Sequence, residues 1–416
     1  MNKVYKFGGS SLKNVTNIKL VTKIIAKNKE DDLVIVFSAM GKVTNMLEEV
    51  VNAYFKKQKI VTNLLNKVRD FHESLARKLF NENDKVFDEI NNLFIEIEWV
   101  IAEDPTDNYS YYYDQIVSVG ELLSTKIMSA FLIKNKIKNC WIDIRDILRT
   151  DDSYRNAKIN WEYVEKTACE NLKYGITVTQ GFIGSTSENN TTTLGREGSD
   201  FTAAILASCL NVKKVIIWKD VAGLMNADPA IFDQPHLFSF ISYDDAIELA
   251  FFGAKVIHPK TIQPLKKKLI PLEIKSFYKP NISGTIISEK TNHNQGIESY
   301  IVKENQILIS VSVRDLTFVV ENHMSQIFSI LSKNLVEVNL MQNSAVSFSV
   351  CVNNDKFKIP KTINELKSFF KVVYNDKLVL YTIKNYKQKS VEKFINENNI
   401  ILQQKSRTTV QLIAKI

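Results

Sequence analysis

The sequence predicts an α/β protein, an αβα sandwich followed by a smaller region built on a βαββαβ pattern. Near-continuous apolar runs such as "DLVIVFSAM", "GITVTQGFIG" and "VKKVIIWKDV" alternate with helix-period segments through the first two-thirds. That alternation is what a buried sheet flanked by helices requires. At 416 residues the chain is too long for one ordinary core. The character then changes after "FYKPNISGTIISEKTNHNQGIES", where Pro280, Gly284 and a polar cluster from Glu289 to Asn294 mark a boundary.

The chain opens on "KVYKFGGSSLKN". An apolar strand leads to Lys6, and Gly8 and Gly9 allow a large group to approach the main chain. Ser10 is placed to cap a helix with apolar positions Leu12, Val15, Ile18, Val21 and Ile25. Strand, glycine turn and helix N-terminus together favour an anion. The same residues also fit a plain βα turn with a surface lysine.

A second small-residue turn, "SAMGKVTN", carries Ser38, Gly41 and Thr44, and a charged helical excursion runs from Asn45 to Glu103. In "DQIVSVGELLSTKIMSAFLI" a core stripe runs through Ile116, Val119, Leu123, Ile127 and Ala130. Glu121 points away from that stripe, into water or into a cleft beside Gly120.

The segment "TTTLGREGSDFTAAILA" is the most informative. Arg196 offers a planar two-pronged contact for a carboxylate. Gly198 and Ser199 follow, and Asp200 opens an apolar helix, where an acid is also a common cap. Opposite charges on one glycine turn suit a zwitterion, with Asp200 or Glu121 taking an ammonium. Farther on, "IIWKDVAGLMNADP" leaves a strand at Asp220 and passes Gly223. In "SYDDAIELAFFGAKVIHPKTIQPL", Ser242 and Asp245 form a capping-box pattern and Gly253 stops the helix. Lys255 follows, either as a linker lysine or as a second phosphate-facing cation opposite Lys6. His258, before Pro259, reads as a packing or capping group.

After the boundary come strands in "ILISVSV" and "LTFVV", a helix in "MSQIFSILSKN", strands in "VEVNLM" and "AVSFSVCV", and a helix opened by Pro360. The last stretch repeats only βαββ.

Composition narrows the classes. Apolar residues make up 45% and charged residues 24%, as in a soluble globular protein. No apolar run reads as long enough for a bilayer, and the polar N-terminus lacks a signal-peptide pattern. Cys140, Cys169, Cys209 and Cys351 show no metal or disulfide spacing, which fits a reduced, cytoplasmic compartment and no protein-held metal. From Asp355 to Ile416 there are 13 Lys/Arg against 5 Asp/Glu, so the whole net charge of +8 sits there. These lysines lack the arginine-rich or aromatic interleaving that reads bases, so nucleic acid is not expected. There is no GxxxxGK[ST] loop, no GxGxxG after the first strand, and no HRD or DFG signature.

Taken in order, "KFGGSS", "SAMGKVTN", "SVGELLST", "QGFIG", "TTTLGREGSDFTA", "KDVAGLMNADP" and "FGAKVIHP" resemble the aspartate kinases of the amino-acid kinase family, which carry C-terminal ACT domains. The resemblance implies an amino-acid kinase-type αβα sandwich over 1–288 and a tandem region of ferredoxin-like βαββαβ ACT modules over 298–416. The first module would span about 305–375. The second, about 376–416, would be completed by a strand near 299–303. The implied reaction is ATP-dependent phosphorylation of the L-aspartate β-carboxylate, with Mg²⁺ on the nucleotide.

By matched position, Lys6 would face the transferred phosphoryl group, with Gly8, Gly9 and Ser10 beside it and Asp200 and Lys255 sharing the catalytic role. Thr44, Glu121, Phe182, Arg196, Ser199 and Asp200 would frame aspartate. Lys219, Asp220, Met225 and Lys255 would meet ATP. Met324, Ser325, Asn339, Gln342 and Ser344 would line a site for an effector such as lysine or threonine, and the ACT domains would pair two copies as a homodimer. An end after the second module implies a monofunctional enzyme without a homoserine dehydrogenase domain. Five residues depart from the family pattern: Glu197 for glycine, Lys219 for a small hydroxyl residue, Met225 for an aromatic, Ala230 for arginine and Asn322 for glycine. Glu197 is expected to turn outward.

Overall fold

The structure is a computed structural model that describes residues 2–28, 32–173, 175–254, 257–289, 296–314, 318–397 and 399–415. The chain divides into two compact units. The first comprises Met1–Leu224, Leu237–Ile247 and Lys255–His293; the second comprises Met225–His236, Glu248–Ala254 and Asn294–Ile416. The single boundary expected near residue 288 is thus accompanied by two earlier segments that join the second unit.

The first unit is built on β1 (Lys3–Phe7), α1 (Val15–Ala26), β2 (Leu33–Phe37), α2 (Val43–Phe55), α3 (Val61–Arg77), α4 (Val86–Ala102), α5 (Tyr109–Val117) and α6 (Val119–Lys134). Then come β3 (Cys140–Trp141), α7 (Trp161–Asn171), β4 (Ile176–Gln180), β5 (Ile183–Ser185), β6 (Thr191–Thr193), α8 (Gly198–Cys209) and β7 (Lys214–Lys219). β8 (Phe240–Ser242), α9 (Tyr243–Phe252), α10 (Pro259–Lys267), β9 (Leu272–Ser276) and β10 (Thr285–Ser288) close it, α9 running over into the second unit.

Eight strands form one sheet in the order β3-β4-β2-β1-β7-β9-β10-β8. Its central strands are parallel and apolar on both faces, so they read as runs of Val, Ile and Phe. Register places Lys6 opposite Ile217 in β7. Because side chains alternate along a strand, Lys6, Ile217 and Lys219 share one face. Phe7 and Trp218 fall on the other and stack at 5.9 Å between centroids.

Two sequence expectations change here. The first helix begins at Val15, not behind Ser10: Asn14 is the cap and accepts from the Asn17 amide at 2.9 Å. Gly9–Leu12 forms a 3₁₀ turn instead, and the Ser10 carbonyl accepts from the Asn17 side chain at 2.8 Å. Second, Tyr109–Lys134 is long and apolar enough to cross a membrane, contrary to the composition reading. Most of it is buried inside the protein as α5 and α6, which is the position of a core helix pair.

The second unit contains β11 (Ser299–Ser312), α11 (Glu321–Lys333), β12 (Val338–Asn343), β13 (Phe348–Asn353), α12 (Lys358–Phe369), β14 (Lys371–Lys384), α13 (Gln388–Glu397), β15 (Asn399–Lys405) and β16 (Thr409–Lys415). They make a six-stranded sheet in the order β12-β13-β11-β14-β16-β15. β11 and β14 are each long enough to serve two modules. The 306–312 part of β11 lies between β13 and β14, and its 299–303 part pairs with 380–384 of β14. A bulge between Lys303 and Leu308 separates the two stretches. α11 and α12 bury Ile327, Ile330, Leu331, Ile363 and Leu366 against Ile307, Ile309 and Val350. Asn322 stands exposed in the first turn of α11, an ordinary helical place that makes no demand for glycine.

Candidate active site

At the carboxyl ends of β1 and β7 lies a cavity of about 480 Å³. Its walls come from the loops after β1, β2 and β4, and from the N-terminal turns of α2 and α8. Two helix N-termini thus open on one space, which favours an anion there. Gly9 permits the two β–α loops to touch: a Cβ on it would come 2.7 Å from the Gly41 carbonyl oxygen. A Cβ on Gly8 would come 3.2 Å from Lys6 Nζ, so the loop closes directly over the ammonium group.

α8 packs on β1 and β7, and its first turn presents Asp200 to the face that carries both lysines. Lys6 Nζ lies 2.6 Å from Asp200 Oδ1, and Lys219 Nζ lies 3.1 Å from Oδ2. Asp200 is only 2% exposed. Burial alone would raise its pKa, but the charges of Lys219 and Lys6 hold it down at about 2. For Lys219 burial acts downward, yet Asp200 and then Glu197 push it net above its ordinary value. Glu121 sits in the first turn of α6, also 2% exposed, and accepts from the Ala39 amide at 3.3 Å. Burial pushes its pKa up to about 8, against the pull of that amide and of Lys6.

Of the residues singled out in the sequence, Lys6, Gly9, Thr44, Glu121, Phe182, Arg196, Ser199, Asp200 and Lys219 line this cavity. Gly8 backs it, and the Ser10 carbonyl accepts from the Asn17 side chain. Asp220 is exposed just beyond β7, and Met225 is half-buried in the second unit. Lys255 lies outside the described residues.

Glu197 does not turn outward. It is half-buried and lines the cavity, and its Oε2 is shielded from water without a hydrogen-bond partner among the described residues. Glu197 has φ 53°, a left-handed conformation that glycine adopts without strain, and its charge acts on Lys219, which favours the inward position.

Sequence reasoning missed Tyr113, Arg155 and Thr193, which complete the wall. Behind them Asp114 accepts from the amides of Arg155 (3.0 Å) and Thr193 (2.8 Å) and from the Thr193 hydroxyl (2.7 Å). Burial pushes Asp114 up to about 6 against those hydrogen bonds. The run of tyrosines around residue 111 was the available signal, since several aromatics beside one acid seldom all face water.

In the second unit, Met324 packs against the core under α11, whereas Ser325, Gln342 and Ser344 are exposed. The segment before α11 is joined to the turn after β12 by the Val319 amide donating to the Ala345 carbonyl at 3.0 Å. Asn339 donates to Gln306 and Asn353 and accepts from Lys303 at 2.8 Å.

A largely parallel sheet and its flanking loops bring lysines, amides and two arginines to one cavity, the arrangement of a protein that handles small anions. Residues 1–276 match the amino acid kinase family, and the chain belongs to it. Lysine-sensitive aspartokinase 3 of Escherichia coli (strain K12) is 29% identical over 354 residues, 84% of this chain and 78% of that protein. Bifunctional aspartokinase/homoserine dehydrogenase 1 of Arabidopsis thaliana is 29% identical over 387 residues, 88% of this chain, which spans 42% of that protein's length. The crystal structure of E. coli aspartokinase III with aspartate and ADP is similar at a TM-score of 0.85 and 25% identity, over 100% of this chain and 96% of that one.

Proposed function

We propose that the chain is an aspartate kinase, transferring the γ-phosphoryl group of ATP to the β-carboxylate of L-aspartate to give 4-phospho-L-aspartate and ADP. This is the entry to lysine, threonine and methionine synthesis. The observation that carries the reading is the meeting of Lys6, Glu121, Arg196 and Asp200 around one cavity.

The chemistry needs no general base, because a carboxylate is already a nucleophile at neutral pH. The demand is to bring two anions together and stabilise charge spread over the phosphoryl oxygens. Lys6 and the amides of Gly8 and Gly9 supply that stabilisation. Arg196 takes the α-carboxylate, Glu121 the α-ammonium, and Thr44, Phe182 and Ser199 frame the chain between. Asp200, with an oxygen on each lysine, orients Lys6 and Lys219 toward the phosphates. Ser10, Lys219, Asp220, Met225 and Lys255 serve the nucleotide. Mg²⁺ arrives on the triphosphate, where it neutralises charge; among the described residues no cluster of acidic, histidine or cysteine side chains is arranged to hold an ion.

The second unit is the regulatory part: lysine or threonine binds near Met324, Ser325, Asn339, Gln342 and Ser344. Exposed Phe318, Met341 and Val346 support pairing of two copies through this unit. Four free cysteines fit a reducing, cytoplasmic compartment. The test is ATP-dependent formation of β-aspartyl hydroxamate when hydroxylamine traps the acyl phosphate, repeated with glutamate as acceptor and with lysine or threonine added. Product with aspartate alone supports the reading. Equal or greater product with glutamate overturns it.

A further inference from the structure

We propose that Arg155 is a second anchor for the substrate's α-carboxylate, acting beside Arg196; this rests on the aspartate kinase reading. Both arginines line the same cavity, yet they come from separate segments, the turn before α7 and the loop after β6. The loops touch, since a Cβ on Gly195 would come 2.9 Å from the Arg155 carbonyl oxygen.

Arg155 is held as a recognition group is held. Its guanidinium lies 4.4 Å over the Tyr113 ring and 5.5 Å from that of Tyr109, and such stacking leaves the planar edge of the fork available. Its amide donates to the buried Asp114, which also takes both donors of Thr193, so the turn is tied to β6. Its φ of 67° is a strained value for arginine. Phe182 (φ 73°) and Glu197 (φ 53°) line the same cavity in the same region, and strain of this kind clusters where surrounding structure enforces a working geometry.

Charge completes the argument. Among the described residues neither arginine has a carboxylate within ion-pair distance, although the charge of Asp114 acts on Arg155 from behind, so both guanidinium groups can take an anion in the cavity they line. The lysines of β1 and β7 already share Asp200. Arg155 instead lies against Tyr113 and against Gly195, the residue next to Arg196. The anion it faces is therefore the one farthest from the transferred phosphoryl group, the α-carboxylate.

Steady-state kinetics of Arg155→Gln and Arg155→Lys test this, with L-aspartate and with 3-aminopropanoate, which keeps the acceptor carboxylate and amine but lacks the α-carboxylate. Losing one charge-assisted contact should raise the KM for aspartate about tenfold or more in Arg155→Gln, with kcat and the KM for ATP nearly unchanged. Arg155→Lys should recover part of the loss. The slower turnover of 3-aminopropanoate should be the same in wild type and both variants. Thermal melts confirm that the variants are folded. An unchanged KM for aspartate, or a KM for ATP that rises equally, overturns the role of Arg155. A wild-type protein that does not phosphorylate aspartate at all overturns the underlying reading as well.

Discussion

Lys6 and Asp200 meet at 2.6 Å, one from the first strand and the other from the first turn of α8. The contact holds the Lys6 Nζ in place at the cavity wall before any phosphate arrives. Lys6→Met should therefore lower kcat by about 10²–10³, the loss seen on removing one preorganised donor. Turnover within a few-fold of wild type in the hydroxamate assay would exclude that role.

Asp200→Asn removes the carboxylate that Lys6 and Lys219 share. Breaking a buried pair in this way costs about 3–5 kcal/mol, which denaturant unfolding at neutral pH would measure. The pH dependence has a definite sign. Asp200 is held at about 2 against an ordinary 3.8, so its contribution is fully present above the ordinary value. It is lost as pH falls toward 2. The difference in stability between wild type and Asp200→Asn should shrink over that window.

Glu121 has the opposite shift. With a pKa of about 8 it is mostly protonated at pH 7 in the free protein. Binding an ammonium group favours the carboxylate, so aspartate binding at pH 7 should release a proton. Affinity should rise with pH and level off above about 8. Calorimetry in two buffers of different ionisation enthalpy reads the release directly, and Glu121→Gln should abolish it.

Glu197→Gly removes an anion from the cavity and relieves a left-handed backbone strain of roughly 1–2 kcal/mol, partly offset by the freedom glycine gains when unfolded. The variant should bind both anionic substrates more tightly, with lower KM for aspartate and ATP, and should melt no lower than wild type. A raised KM would mean that Glu197 is needed where it stands.

Much of the site was legible because its residues lie in short contiguous stretches. Lys6 before two glycines and Arg196 four residues before Asp200 carry their chemistry in local order. What local order cannot show is which distant segment packs alongside. Arg155 joined the site only because Asp114 and the Tyr109 and Tyr113 rings, all on α5, hold its turn. Ser10 and Asn14 are both competent caps, and the 3₁₀ turn at Gly9–Leu12 decided between them. The inward position of Glu197 goes with Lys219, more than twenty residues away in the sequence, on which its charge acts. In the second unit β11 looked like separate pieces, because a bulge interrupts the alternation within a single strand.

The most direct test follows oxygen from substrate to product. L-aspartate labelled with ¹⁸O in the β-carboxylate is incubated with ATP, Mg²⁺ and hydroxylamine, and the released phosphate is weighed by mass spectrometry. Attack by the β-carboxylate on phosphorus, then by hydroxylamine on the acyl carbon, predicts one ¹⁸O in each phosphate and none when only the α-carboxylate is labelled. Unlabelled phosphate from the β-labelled substrate would contradict the account.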